Sequence, residues 1–246
     1  GHPGYEWYPS NLYLYAGNLL IYGFFVVTGN EEHNKVSQAG ISGSGMSRAE
    51  LRAALSLSGV YAFRMLGLFM ILPVFALYAA DMEGVTPALT GLALGAYGIT
   101  QAALQIPAGL LSDRIGRKPV IIGGLVIFAI GSIVAARADS ILIIILGRAL
   151  QGAGAIAAAV MALAADLTRE EHRIKAMALI GMSIGLSFAA AMVLGPVFNE
   201  WVGLSGIFWI TAVLAVAGIL MVAFVVPRPA VSRQHREAEA IPAQFG

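Results

Sequence analysis

Two arginines stand inside stretches otherwise free of charge: Arg64 in SLSGVYAFRMLGLFMILPVFALYAA and Arg148 in ILIIILGRALQGAGAIAAAVMALAA. A guanidinium in hydrocarbon costs roughly 2.5 kcal/mol or more, so each should face a polar cavity or a partner. Gln151 stands beside Arg148. The bland alternative for Arg148 is snorkelling, since it lies about two turns from the end of its apolar run. Tyr97, Gln101 and Gln105 recur every fourth residue and make one polar stripe on an apolar helix, lining either a cavity or a helix interface. A third group is contiguous: Gly109-Leu-Leu-Ser112-Asp113-Arg114-Ile-Gly116-Arg117-Lys118-Pro119. Glycines allow a tight reversal, Pro119 suits the first turn of a helix, and the basic residues anchor at an anionic membrane face. Asp113 needs a further reason, and Arg117 four residues on is a partner for a charge-assisted bond, which Asp166 is placed to share.

Other chemistry is excluded or weak. There is no cysteine, and His2, His33, His172 and His235 show no ligand spacing, so no metal site is expected. The run Gly40-Ile-Ser42-Gly43 imitates an intramembrane protease motif but lies in a polar segment, and no apolar run holds a histidine to act as base. GAGAIA imitates a dinucleotide fingerprint inside an apolar run with no strand before it. No nucleophile–base pair supports an enzyme. Proton coupling needs a titratable group, and arginine does not supply one. The carboxylates near apolar runs are Asp113 and Asp166 at one boundary and Asp81 and Glu83 at the other. Coupling runs through those, or through a part of the protein not present in this sequence.

The elements that must position these residues follow from composition. Of 246 residues, 58% are hydrophobic and 12% charged, against about 45–50% and 25% in soluble domains. Six runs are long enough to cross about 30 Å of hydrocarbon: about residues 54–80, 89–111, 119–136, 141–165, 176–198 and 205–226. Short connections make consecutive helices antiparallel neighbours. Arg48, Arg52, Arg114, Arg117, Lys118, Arg169, Arg173, Lys175, Arg228, Arg233 and Arg236 all fall on one side, and only Arg137 on the other. Both ends of the six-helix unit are therefore expected in the cytoplasm. No nucleic-acid partner is expected.

Small residues at four-residue spacing, Gly181, Gly185 and Ala189 and again Gly91 and Gly95, predict close helix packing. Residues 1–45 read as an appended segment, with 12–28 as an extra apolar helix, a membrane-surface segment or a seventh span; MSRAELRAAL at Met46 looks like a native start. Residues 227–246 read as a cytoplasmic linker.

G-x-L-S-D-R-x-G-R-K at Gly109–Lys118 resembles the signature loop of the major facilitator superfamily of transporters. Arg148-x-x-Gln151-Gly152-x-Gly154-Ala155 is similar to the family's R-x-x-Q-G-x-G-A motif. Leu66-Gly67-x5-Pro73-Val74 resembles its antiporter motif LG-x5-P-V-x-P, with Ala76 in place of the last proline. Ala191-x3-Gly195-Pro196 is a reduced form of G-x3-GP-x2-GG, with Ala191, Asn199 and Glu200 replacing glycines.

The resemblance implies an all-α membrane protein, with residues 46–226 as the N-terminal half of a fold of two six-helix bundles, each built of two inverted three-helix repeats. It implies a bacterial inner-membrane antiporter of the proton-coupled drug-efflux branch, exporting small apolar or drug-like molecules and driven by the proton gradient without a cofactor. The missing half, or a second copy of this chain, would complete it. Arg148 would take part in proton coupling, Arg64, Tyr97, Gln101 and Gln151 would face the cavity, and Asp113 would hold the cytoplasmic side closed. An anionic metabolite held by the intramembrane arginines is the alternative substrate, and a non-transporting scaffold the alternative of another class.

Overall fold

The computed structural model describes residues 45–80 and 85–227, with the backbone alone at 76–80. The segment 12–28, Ser42, Asp81, Glu83, Arg228, Arg233 and Arg236 lie outside the described residues. The described residues form α-helices and no strand: α1 Arg48–Ala80, α2 Pro87–Ile115, α3 Arg117–Ala136, α4 Ile141–Ala153, α5 Ala157–Asp166 and α6 Glu170–Phe224.

Local sequence explains the boundaries. Ser47 and Glu50 close a reciprocal cap on α1: Glu50 N–H donates to Ser47 Oγ (3.2 Å) and Ser47 N–H to Glu50 Oε2 (2.8 Å). Thr86 Oγ1 accepts from Leu89 N–H (3.3 Å), with Pro87 at the first helical position of α2. The junction expected as a loop is almost wholly helical. Asp113 and Arg114 belong to α2, and Gly116 alone separates α2 from α3, at φ 100°. An L side chain would be strained at that angle.

One expected span differs in the structure, and two others meet at an unexpected turn. The fourth, predicted as continuous over 141–165, is broken at Gly154–Ile156 into α4 and α5. The fifth and sixth are two helices, as predicted, but meet at so short a turn that α6 runs on for 55 residues, and Pro196 lies inside the first of them without ending it. The chain turns instead at Gly203, with φ 64° and ψ −178°, a region open essentially only to glycine. Before it, Ser187 Oγ donates to the Ala62 carbonyl and Gly195 abuts the Met70 carbonyl, so the first limb runs with α1. After it, Thr211 Oγ1 donates to the Gly67 carbonyl and Gly218 abuts Val60, so the second limb runs against α1.

Two apolar clusters fill the interior, one around Leu57, Leu125, Phe128 and Leu163, the other around Met70, Phe75, Ile144 and Phe208. The outer surface is also apolar: Ile106, Met182, Leu186, Trp201 and Phe224 are exposed. Water does not tolerate such a surface at this extent, and hydrocarbon does. By length and hydropathy, the stretches Arg48–Phe75, Arg117–Ala136, Ile141–Asp166 and Glu170–Phe224 suit a bilayer. Helix α2 is long enough, but its polar residues lower its hydropathy.

Candidate functional site

The two intramembrane arginines converge on one aromatic ring. Arg64 comes from α1 and Arg148 from α4, and their guanidinium carbons lie 5.6 and 5.1 Å from the centroid of Tyr97 on α2. Arg64 also lies 5.2 Å from the Phe128 ring of α3. Both are cation–π distances. Neither arginine snorkels: Arg64 is 1% and Arg148 2% exposed.

Arg148 is closed in by neutral partners. Its Nη1 donates to Gln151 Oε1 (2.8 Å) and its Nε to the Ala93 carbonyl (3.4 Å). Gln151 Nε2 donates to Ser132 Oγ (2.8 Å), and Ser132 Oγ to the Phe128 carbonyl (2.8 Å). Arg64 Nη2 donates to Gln101 Oε1 and to the Gly154 carbonyl, both at 3.2 Å. The second of these bonds meets the backbone where span four is broken.

The expected cavity group is thus inside the bundle. Arg64, Tyr97, Arg148 and Gln151 are buried among α1–α5, while Gln101 and Gln105 are half-buried. The polar stripe of α2 faces α1 through the Arg64–Gln101 bond, which makes it a helix interface at that point. Gln105 Oε1 has no partner among the described residues. The crossing is tight because Gly152 of α4 rests against the Tyr97 carbonyl and Thr100 Oγ1 of α2, and Thr100 Oγ1 donates to the Ala149 carbonyl (2.9 Å).

At the end expected in the cytoplasm, Arg117 bridges two acids. It pairs with Asp113 through Nη1 and with Asp166 at the end of α5 through Nε (3.3 Å), and Nη1 also donates to Ser112 Oγ (2.8 Å). The Asp113 side chain is 56% exposed, so one carboxylate edge remains open to a partner. Lys118 Nζ donates to the Val226 carbonyl and joins α3 to the end of α6. Gly109 packs near Ala158, and Arg114 is exposed. Gly195 packs closely against Met70 and Pro73, and the helix continues through Pro196.

One pair was missed. Glu50 Oε1 accepts from Arg169 N–H (2.9 Å) and Arg169 Nε (3.0 Å), tying the start of α1 to the α5–α6 connection. Glu50 holds the Arg169 guanidinium above its ordinary pKa. The Ser47-x-x-Glu50 capping pattern was visible in the sequence; the partner, 119 residues away, was not. The glycine stripes also differ from expectation. A Cβ at Gly91, Gly95, Gly181 or Gly185 would meet nothing within 4 Å, so these positions pack against no described helix. No cluster of metal-binding side chains occurs among the described residues.

The sequence profile of the Major Facilitator Superfamily matches residues 57–245. The chain belongs to the Major Facilitator Superfamily. It is 55% identical over 200 residues to the inner membrane transport protein YajR of Escherichia coli K12, covering 81% of this chain and 44% of YajR. A Buchnera aphidicola transporter from Schizaphis graminum is 47% identical over 182 residues, 74% of this chain and 46% of its own length. The crystal structure of the human organic anion transporter MFSD10 shares the fold, with a TM-score of 0.60 at 20% identity over 74% of this chain and 48% of that one. The chain spans less than half the length of these relatives. The described residues are all-helical, with apolar helices, and the relatives named are membrane transporters.

Proposed function

We propose that the chain is one bundle of a proton-driven exporter of a bacterial inner membrane, working by rocking against a second six-helix bundle. The observation that carries this reading is the Asp113–Arg117–Asp166 bridge. It fixes the α2–α3 junction to the end of α5 while leaving Asp113 open to a partner. The open glycine faces of α2 and α6 are where another bundle can approach closely. Similarity to YajR supports the inner membrane and transport. The buried positive centre bears on coupling: a carboxylate supplied by the other bundle would be held ionised beside it until substrate or proton displaced that contact.

In everted vesicles bearing the full-length transporter, an acid-inside gradient should drive accumulation of a lipophilic dye, and an uncoupler should abolish it. Asp113→Asn should slow accumulation and raise labelling of a cysteine probe on the cytoplasmic side. Exposed ion pairs contribute roughly 0–1 kcal/mol, so the unfolding midpoint should barely move. Accumulation indifferent to the uncoupler removes proton coupling, and none with any substrate leaves a scaffold. The one-sided distribution of basic residues supports a cytoplasmic location for both ends of the bundle. Reporter fusions after Arg117 and Arg173 should then read cytoplasm, and a periplasmic signal after Arg117 would overturn that orientation.

A further inference from the structure

We infer that the break in span four, together with Arg64 and Tyr97, is a binding site for the carboxylate of an organic anion, and that the exported substrate belongs to this class. The inference rests on the transport reading above and names its substrate.

The first observation is charge. Arg64 and Arg148 place two buried cations around one ring, and every hydrogen-bond partner they have is neutral: Gln101, Gln151 and the carbonyls of Ala93 and Gly154. Among the described residues no carboxylate lies in the interior of a span. The broken helix does not compensate. The C-terminal end of α4 carries about half a negative charge, and the N-terminal end of α5 about half a positive one. Buried charge of one sign is costly without a counter-charge.

The second observation is unused hydrogen-bonding capacity at the same place. Arg64 Nε and Nη1 and the Tyr97 hydroxyl are buried and have no partner among the described residues. The other nitrogen of Arg64, Nη2, is bonded to Gly154, which ends α4. Two residues on, α5 begins at a buried Ile156 with no side-chain cap, where the first N–H groups of a helix lack intrahelical acceptors. Donors therefore gather from α1, α2 and the start of α5, and an anion is the ligand that accepts from all of them.

The third observation is the surroundings. Tyr97 and Phe128 present aromatic rings beside the guanidinium of Arg64. This dry aromatic surround suits an organic carboxylate better than a hydrated inorganic ion.

The test uses the purified chain in detergent at constant ionic strength, with benzoate, chloride and benzyltrimethylammonium as probes and the thermal unfolding midpoint as readout. Benzoate should raise the midpoint saturably, and the other two should not. Arg64→Gln should weaken benzoate binding roughly tenfold to a hundredfold, the scale of charge-assisted hydrogen bonds. Tyr97→Phe keeps the ring, removes only the hydroxyl and should weaken binding severalfold, which covers the case that Arg64→Gln does not fold. Arg137→Gln, whose guanidinium lies over Trp209, should bind as the parent does. Equal shifts by chloride and benzoate would reduce the site to a counter-ion site and overturn the substrate class. No saturable shift, or an unchanged shift in both Arg64→Gln and Tyr97→Phe, would overturn the site itself. The assay needs no proton gradient, so its failure leaves proton-driven export standing, and loss of proton coupling leaves the binding result standing.

Discussion

Arg148→Ala is expected to lower proton-driven transport by the full-length protein about a hundredfold or more while leaving membrane insertion intact. The substitution removes the donor to Gln151 Oε1 and to the Ala93 carbonyl and the cation over the Tyr97 ring. Each buried acceptor left without its donor costs roughly 1–3 kcal/mol, and about 1.4 kcal/mol is a factor of ten. Two further variants separate charge, shape and geometry. Arg148→Lys keeps the charge but lacks the planar fork that reaches Gln151 and Ala93 together, and should also be impaired. Arg148→Met restores much of the volume without charge, and should insert and fold yet fail to transport. Vesicle transport and quantified membrane yield give the answer together. Full activity in Arg148→Ala would reduce the arginine to helix packing.

Gly152→Ala should be the most damaging small substitution in the bundle. A Cβ there is driven into the Tyr97 carbonyl and Thr100 Oγ1. Backbone on one side and a bonded hydroxyl on the other leave nothing flexible to yield. Helices α2 and α4 would have to part, losing the Thr100–Ala149 bond and disturbing the ring between the two arginines. Overpacking costs about 1–3 kcal/mol or more. For a protein of this size, that is a fall of roughly 2–12 °C in the unfolding midpoint. Gly181→Ala is the control, since its Cβ meets nothing within 4 Å. Equal midpoints for the two variants would show that the α2–α4 crossing relaxes at no cost.

The all-α membrane character was legible from the sequence because apolar length and the one-sided basic residues are local properties, summed along the chain. The same holds for the signature around Asp113 and Arg117, where four residues along a helix suffice to bring the pair together, and for Arg64 and Arg148, conspicuous as charges in apolar runs. The tertiary structure decided what lies opposite them. Periodicity shows that Tyr97 and Gln101 share a face, but not that Arg64 of α1 meets that face or that Gly154 supplies its other acceptor. Composition likewise could not locate the breaks. The helix continues past Gly195-Pro196 because the missing proline N–H costs one bond while the packing of Gly195 on Met70 and Pro73 is kept. The turn falls at Gly203, where only glycine permits the backbone angles and both limbs can lie along α1. Span four reads as one continuous run, apolar except around Arg148 and Gln151, and is nevertheless interrupted. Gly154 abuts the Gly124 backbone of α3, and its freed carbonyl finds Arg64. Those partners are distant in the chain, and only packing brings them together.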